Sequence, residues 1–277
     1  MLSSPFVLST VLHKDLKQET FSRALIQLFA RVLKDWKAAG FAVAVVEKNK
    51  VIYAKGFGYK DVQAKLPVTV NTQFAIGFCT KAFTASLIGL LAKDDKLDLD
   101  KPVRTYLPAL NFYNNEMNNG VTLRDMMCHR TGVSRFDYSW YFFPSRSREE
   151  LMQRMQYMEP SEPLRRKWQY NNFMFMLQGL VTEKLTNKTW EDNIKEKLFE
   201  PLSMSNSNTT LKEWMHAPDL AIGYQLIHDS IIKKQDYYDI SGMAPVITTH
   251  YSCCSLTTKC ICAIITTMYL TCGIKMT

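Results

Sequence analysis

The apolar residues change period several times along the chain, and each change predicts an element. Over residues 21–36, Phe21, Leu25, Leu28, Phe29, Val32 and Trp36 recur at helical spacing. Ala42-Val43-Ala44-Val45-Val46 and Val51-Ile52-Tyr53-Ala54 are instead unbroken β-rich runs. The polar stretch Glu47-Lys48-Asn49-Lys50 between them predicts a hairpin. Gly56 and Gly58 are read as the end of the second strand. They are not a phosphate loop, because the third glycine of G-x-G-x-x-G is absent. A helix is expected over 80–93. Another starts at Thr122, where Thr122 and Asp125 fit a capping box. Helices over 173–185 and 190–199 follow, the second ended by Pro201. Two strands followed by many helices predict an α+β arrangement.

Composition narrows the class. The chain has 277 residues, 47% of them hydrophobic and 22% charged, which fits one large globular domain or two small ones. The net charge of +8 comes from scattered Lys and Arg with no run of five. That reads as a solvated basic surface, and no nucleic-acid partner is expected. Residues 260–274 form the longest late uncharged stretch, 15 residues with three threonines. A membrane span needs roughly 20 apolar residues, so none is read. Residues 1–12 are apolar but lack a preceding basic residue and an obvious small-residue cleavage site, so no signal peptide is read. Location stays open between cytoplasm and secretion, and the sequons at Asn187 and Asn208 bear on it only for a secreted chain.

The end of the chain differs from the rest. All 26 acidic residues lie at or before Asp239, and residues 247–277 hold five Cys, eight Thr and two Lys instead. The preceding residues mix 32 basic with 26 acidic side chains, as a folded surface normally does. The expected organisation is therefore an extension over 1–20, a domain over 21–245 and an atypical Cys/Thr-rich tail over 246–277. A splice variant or a shifted reading frame would produce such a tail; a genuine but unusual tail is the alternative. Five of the seven cysteines fall in the last 25 residues, and their spacings match no zinc ligand pattern or disulfide framework. Asp94, Asp95, Asp98 and Asp100 lack the glycine and twelfth-position glutamate of a calcium loop. No metal, nucleotide or flavin is expected.

The informative chemistry lies in Thr72-Gln-Phe-Ala-Ile-Gly-Phe78-Cys-Thr-Lys81. This segment resembles the nucleophile motif of serine beta-lactamases, penicillin-binding proteins and related esterases and peptidases, S-x-x-K within F-x-I-G-S-x-T-K. Four further segments carry the resemblance in the family's order. The hairpin with Lys55-Gly-Phe-Gly-Tyr59 looks like the family's opening strands. Val121-Thr-Leu-Arg-Asp125 with His129-Arg-Thr-Gly-Val133 resembles its I-T-x-R…H-x-S/T-G-L signature. Tyr170-Asn-Asn172 matches Y-x-N, and Glu200-Pro-Leu-Ser-Met204 resembles E-P-L-G-M. The resemblance covers roughly residues 25–245. It implies a beta-lactamase/transpeptidase-like fold, an antiparallel sheet with a helical cluster, incomplete at the C-terminus.

The resemblance also implies roles. Residues 78 and 81 are three apart on a helix and share one face. In the family the serine attacks an acyl carbonyl at a helix start, the lysine assists its deprotonation, and the Y-x-N tyrosine is a second proton-transfer group. The asparagine orients the substrate. Carried over, Lys81 and Tyr170 are the catalytic seats, Asn172 is the substrate-binding residue, and Phe78 stands where the serine should be. His129 is read as a structural hydrogen-bonder before a turn, not as a base.

Two departures decide the expectation. Phenylalanine has no nucleophilic lone pair, and Cys79 lies about 100° further round the helix. No K-T-G or H-x-G triplet follows Asn172, and without closing strands the run 42–54 would present an unpaired apolar edge. The chain is therefore expected to be a catalytically silent member of the serine beta-lactamase-like family, binding a small acyl, ester or peptide-like ligand where the cleft persists. Two alternatives stay open. One is an active serine esterase, peptidase or lactamase whose sequence carries a variant or error, since serine to phenylalanine needs one base. The other is a non-enzymatic binding or extracellular matrix protein on the same fold. Oligomeric state is not read from the sequence.

Overall fold

A computed structural model describes residues 5–47, 50–227, 231–234, 248–249 and 260–265. They fall into two compact units. The first draws on Met1–Phe74, Asp219–Asp236 and His250–Thr277, the second on Ala75–Pro218 and Tyr237–Thr249.

In the first unit, α1 (Pro5–Asp35) precedes β1 (Gly40–Glu47), β2 (Lys50–Asp61) and the short β3 (Leu66–Pro67). Later segments add β4 (Tyr224–Ile227), β5 (Ile231–Lys234) and β6 (Cys260–Ile265). The main sheet has the order β3-β2-β1-β6, with β4 and β5 forming a separate hairpin. The predicted β1–β2 hairpin is present, running from Gly40↔Gly58 to Glu47↔Lys50. Residues 41–46 of β1 are buried on both sides, which explains their unbroken apolar run. Phe41 and Val43 pack with Phe57 and with Phe29 of α1, whereas Ala42 packs with Val68, Phe74 and Ala221. Successive strand residues point to opposite faces, so one segment serves two layers.

Three expectations need correction here. The helix begins at Pro5, well before residue 21, and its packed stripe is the buried Phe29 with Leu25, Val32 and Leu33 partly buried. Phe21, Leu28 and Trp36 are exposed, so part of the apparent periodicity carried no packing. Gly56 and Gly58 do not end a strand, since β2 continues through them to Asp61. Gly58 has φ +71, and a Cβ there would collide with the Ala39 carbonyl. It is needed for close backbone approach inside the strand. Finally, the free edge of β1 is paired: β6 from the Cys/Thr-rich tail runs antiparallel to it, from Phe41↔Ile265 to Val46↔Cys260. Apart from 248–249 and β6, residues 246–277 lie outside the described residues.

The second unit is helical. A 3-10 turn at Gly77–Cys79 leads into α2 (Thr80–Lys93). There follow α3 (Asn115–Gly120), α4 (Leu123–Met127), α5 (Tyr138–Tyr141), α6 (Arg148–Gln153), α7 (Phe173–Thr186), α8 (Trp190–Ile194) and α9 (Leu211–Met215). The helices expected over 80–93, from 122, over 173–185 and over 190–199 all form, the last as α8 and a π-helical turn over Lys195–Phe199. The Thr122–Asp125 capping box forms as expected. Among these helices α7 is apolar nearly all round, with Phe173, Met174, Met176, Leu177, Leu180 and Val181 buried. It occupies the core, as such a pattern requires. Ile88 and Leu91 of α2 join that core, while Leu87 turns to a smaller cluster with Trp190, Ile194 and Leu198. The Trp190 indole N–H donates to Thr84 Oγ1 at 3.2 Å, which fixes α8 on α2.

Candidate functional site

The residues singled out in the sequence converge inside the helical unit. Phe78 lies in the 3-10 turn and Lys81 in the first turn of α2, on one face: Lys81 Nζ is 4.6 Å from the centroid of the Phe78 ring. Asn172 is the residue before α7, and its side chain caps no backbone N–H. Its Oδ1 accepts from Lys81 Nζ at 2.7 Å. Its Nδ2 donates to Asp137 Oδ1 at 3.1 Å. An ammonium only donates and a carboxylate only accepts, so the amide orientation is determined. Asp137 Oδ2 accepts in turn from Arg135 Nε at 2.6 Å.

A peptide clip holds Tyr170. His129 follows α4 in a left-handed conformation, φ 55, and Gly132 follows at φ 82, where a Cβ would collide with the Glu162 carbonyl. The Gly132 carbonyl accepts from the N–H groups of Ser161 and Glu162, and the Arg130 carbonyl accepts from Arg165 N. The His129 carbonyl accepts from Gln169 N at 2.7 Å. His129 Nδ1 accepts from Asn171 N at 3.2 Å. The imidazole is therefore neutral with its proton on Nε2. Burial, reinforced by the Lys81 charge, pushes its pKa down to about 4. Its ring lies 4.6 Å from that of Tyr170. The sequence expectation of a structural hydrogen-bonder matches this geometry.

Tyr170 shows its ring to Lys81, with the centroid 4.9 Å from Nζ, and Phe175 adds a third ring at 5.2 Å. Phe78 meets Tyr170 edge-on at 5.7 Å. The Tyr170 hydroxyl is buried and has no hydrogen-bond partner among the described residues. Burial pushes its pKa up to about 12, so the phenol stays protonated. The ammonium thus rests among three aromatic rings and donates one hydrogen bond to an amide oxygen. Burial lowers the Lys81 pKa to about 8; Asp137 opposes this fall and Arg135 adds to it.

The sequence reading brought Phe78, Lys81, Tyr170 and Asn172 together, and the structure does so too. It missed Arg135, Asp137 and Phe175. Asp137 and Arg135 had only a bare R-x-D spacing to announce them, and Phe175 was simply one position of a predicted helix. Cys79 is exposed and outside the ring cluster. Among the described residues, no group of three or more His, Cys, Asp or Glu is placed to hold a metal ion. No helix among them is long and apolar enough to cross a membrane.

A sequence model of the family described as Beta-lactamase matches residues 25–230. The chain belongs to the beta-lactamase family. An unguisins hydrolase of Aspergillus campestris is 33% identical over 224 residues, which is 75% of this chain and 41% of that relative. Among solved structures, the octameric penicillin-binding protein homologue from Pyrococcus abyssi is 27% identical with a TM-score of 0.73, covering 82% of this chain and 53% of that one. A class C beta-lactamase, 23% identical, shares the fold with a TM-score of 0.70 over 84% of this chain and 62% of its own. The antiparallel sheet and helical cluster are those of this beta-lactamase fold. The chain spans about two fifths of the length of the curated relatives it matches.

Proposed function

We propose that this beta-lactamase-family chain recognises a small acyl, ester or peptide-like ligand without hydrolysing it. One observation carries the reading. At the start of α2, where the family has its attacking serine, the Phe78 ring lies against Lys81 and Tyr170. A benzyl side chain has no lone pair to form an acyl ester, and losing the nucleophile of such a set costs on the order of a millionfold in turnover. Lys81, Tyr170 and Asn172 match by sequence the motif residues that the family uses around an acyl group, and the hydrolase name of the Aspergillus relative supports descent from a hydrolase.

The test is turnover of a chromogenic cephalosporin and of p-nitrophenyl acetate by the purified chain. No sustained release above buffer is expected. Multiple turnovers, or an ester-linked adduct on the chain, would overturn the reading. The Phe78→Ser variant belongs in the same assay: turnover by that variant alone would show that Phe78 is what silences the site.

A further inference from the structure

With the serine position filled by a ring, the nucleophile left in the cluster is an amine. We propose that Lys81 is an acyl acceptor, taking the acyl group of an activated ester, thioester or lactam as a stable amide. This deepens the non-hydrolytic reading above and rests on it.

Lys81 is half-buried on the first turn of α2 and is held by Asn172 Oδ1 at 2.7 Å, with no carboxylate in direct contact among the described residues. Asp137 hydrogen-bonds to the Asn172 amide and not to Lys81, and it is already engaged by Arg135. A second cation nearby and partial removal from water are the two conditions that activate a lysine amine. Three ring faces pull the other way by favouring the ammonium. Burial and the Arg135 charge nonetheless bring the Lys81 pKa down to about 8, below the ordinary lysine value near 10.4.

The step balances without any further reagent. The neutral Lys81 nitrogen attacks the acyl carbonyl carbon and forms the C–N bond. The C–O, C–S or lactam C–N bond then breaks, and the leaving group departs with the electron pair. The excess nitrogen proton passes to solvent or to the leaving group. The product amide keeps one N–H for Asn172 Oδ1 but carries no charge among the rings. An amide is far harder to hydrolyse than an ester, so the chain captures one acyl group and stops.

The experiment uses the intact chain and p-nitrophenyl acetate at about one equivalent, near pH 8. Hydroxylamine then strips ester and thioester adducts, including those on Cys79 and Cys128, before peptide mapping. The expected result is stable acetylation of the peptide containing Lys81, at least about tenfold faster than the median of the other lysines. The Arg135→Gln variant should acetylate Lys81 more slowly near pH 7.5 and at an unchanged rate near pH 10, because removing the cation raises the amine's pKa. Stable acetyl spread over the lysines with no preference for Lys81 would overturn the inference and leave the non-hydrolytic reading standing. Nitrophenolate release continuing well beyond one equivalent through a hydroxylamine-labile adduct would overturn that reading instead.

Discussion

Two half-buried lysines show what their surroundings decide. In the first unit, Lys60 Nζ meets Asp219 Oδ1 at 2.8 Å, with side chains 18% and 22% exposed. The same carboxylate accepts from the hydroxyls of Thr69 and Thr72 at 2.7 and 2.8 Å. Burial raises the Asp219 pKa, but these donors outweigh it and hold the group below the usual carboxylate range. In the helical unit, Lys81 has an amide oxygen and ring faces in place of a carboxylate. A buried charge with a hydrogen-bonded counterion is a fastening; one compensated only by dipoles and quadrupoles is held in a state from which it can lose its proton.

Breaking the fastening gives the largest expected effect. Asp219→Ala leaves a lysine half-buried without its carboxylate and two threonine hydroxyls without their acceptor. A loss of about 3 kcal/mol in urea unfolding of the full chain is expected. A loss within error would mean that Lys60 and Asp219 are an ordinary surface pair.

Next comes the clip beneath the caged lysine. His129 is neutral in the folded state down to about pH 4 and protonates at its ordinary 6.5 once unfolded. Between those values the unfolded chain binds more protons, so stability falls as pH drops through that window, by on the order of 2 kcal/mol. His129→Asn should be less stable at neutral pH but lose the extra pH dependence between pH 6.5 and 4. An unchanged slope in urea midpoints would remove His129 as its source.

Lys81 itself has the opposite charge logic to Lys60. Its folded pKa lies at about 8 against an ordinary 10.5, so the cost of holding the ammonium is fully present at neutral pH. That cost is relieved as pH rises from about 8 to 10.5, where the unfolded chain binds the extra proton. Lys81→Met should therefore stabilise the chain at pH 7 by about 1 kcal/mol, with the gain shrinking towards pH 10. Destabilisation at pH 7 would show that the rings and Asn172 compensate the charge as fully as Asp219 compensates Lys60.

The smallest change sharpens the role of the ring. Phe78→Leu keeps apolar bulk but removes one ring face, an interaction worth roughly 0.5–1 kcal/mol. It should lower the midpoint of the pH profile for Lys81 modification. A midpoint that does not move would mean that the Phe78 ring fills space without acting on the charge.

Much of this was legible in the chain because it is local. Helical spacing and the Thr122–Asp125 capping box placed α2, α4 and α7. The unbroken run 42–46 announced a strand, though not that it is covered on both faces. What was not legible depends on distant partners. Nothing in the period of residues 21–36 says that Phe29 is buried while Leu28 is exposed, since that follows from where Phe41 and Phe57 lie. Gly58 looked like punctuation because its need for φ above zero arises from the Ala39 carbonyl across the hairpin. Asp137 looked like any loop acid until folding put it one amide away from Lys81.

The sequence alone determined the family, the order of the main elements and the aromatic side chain at position 78, because each of these is written in residue identity and spacing. The tertiary structure decided what that ring touches. It placed the Phe78, Tyr170 and Phe175 rings around one ammonium and turned the tyrosine's face to the lysine. It also separated lysine from aspartate by an amide. Charge, burial and ring orientation are properties of neighbours brought together from three stretches of chain, and no one of those stretches contains them.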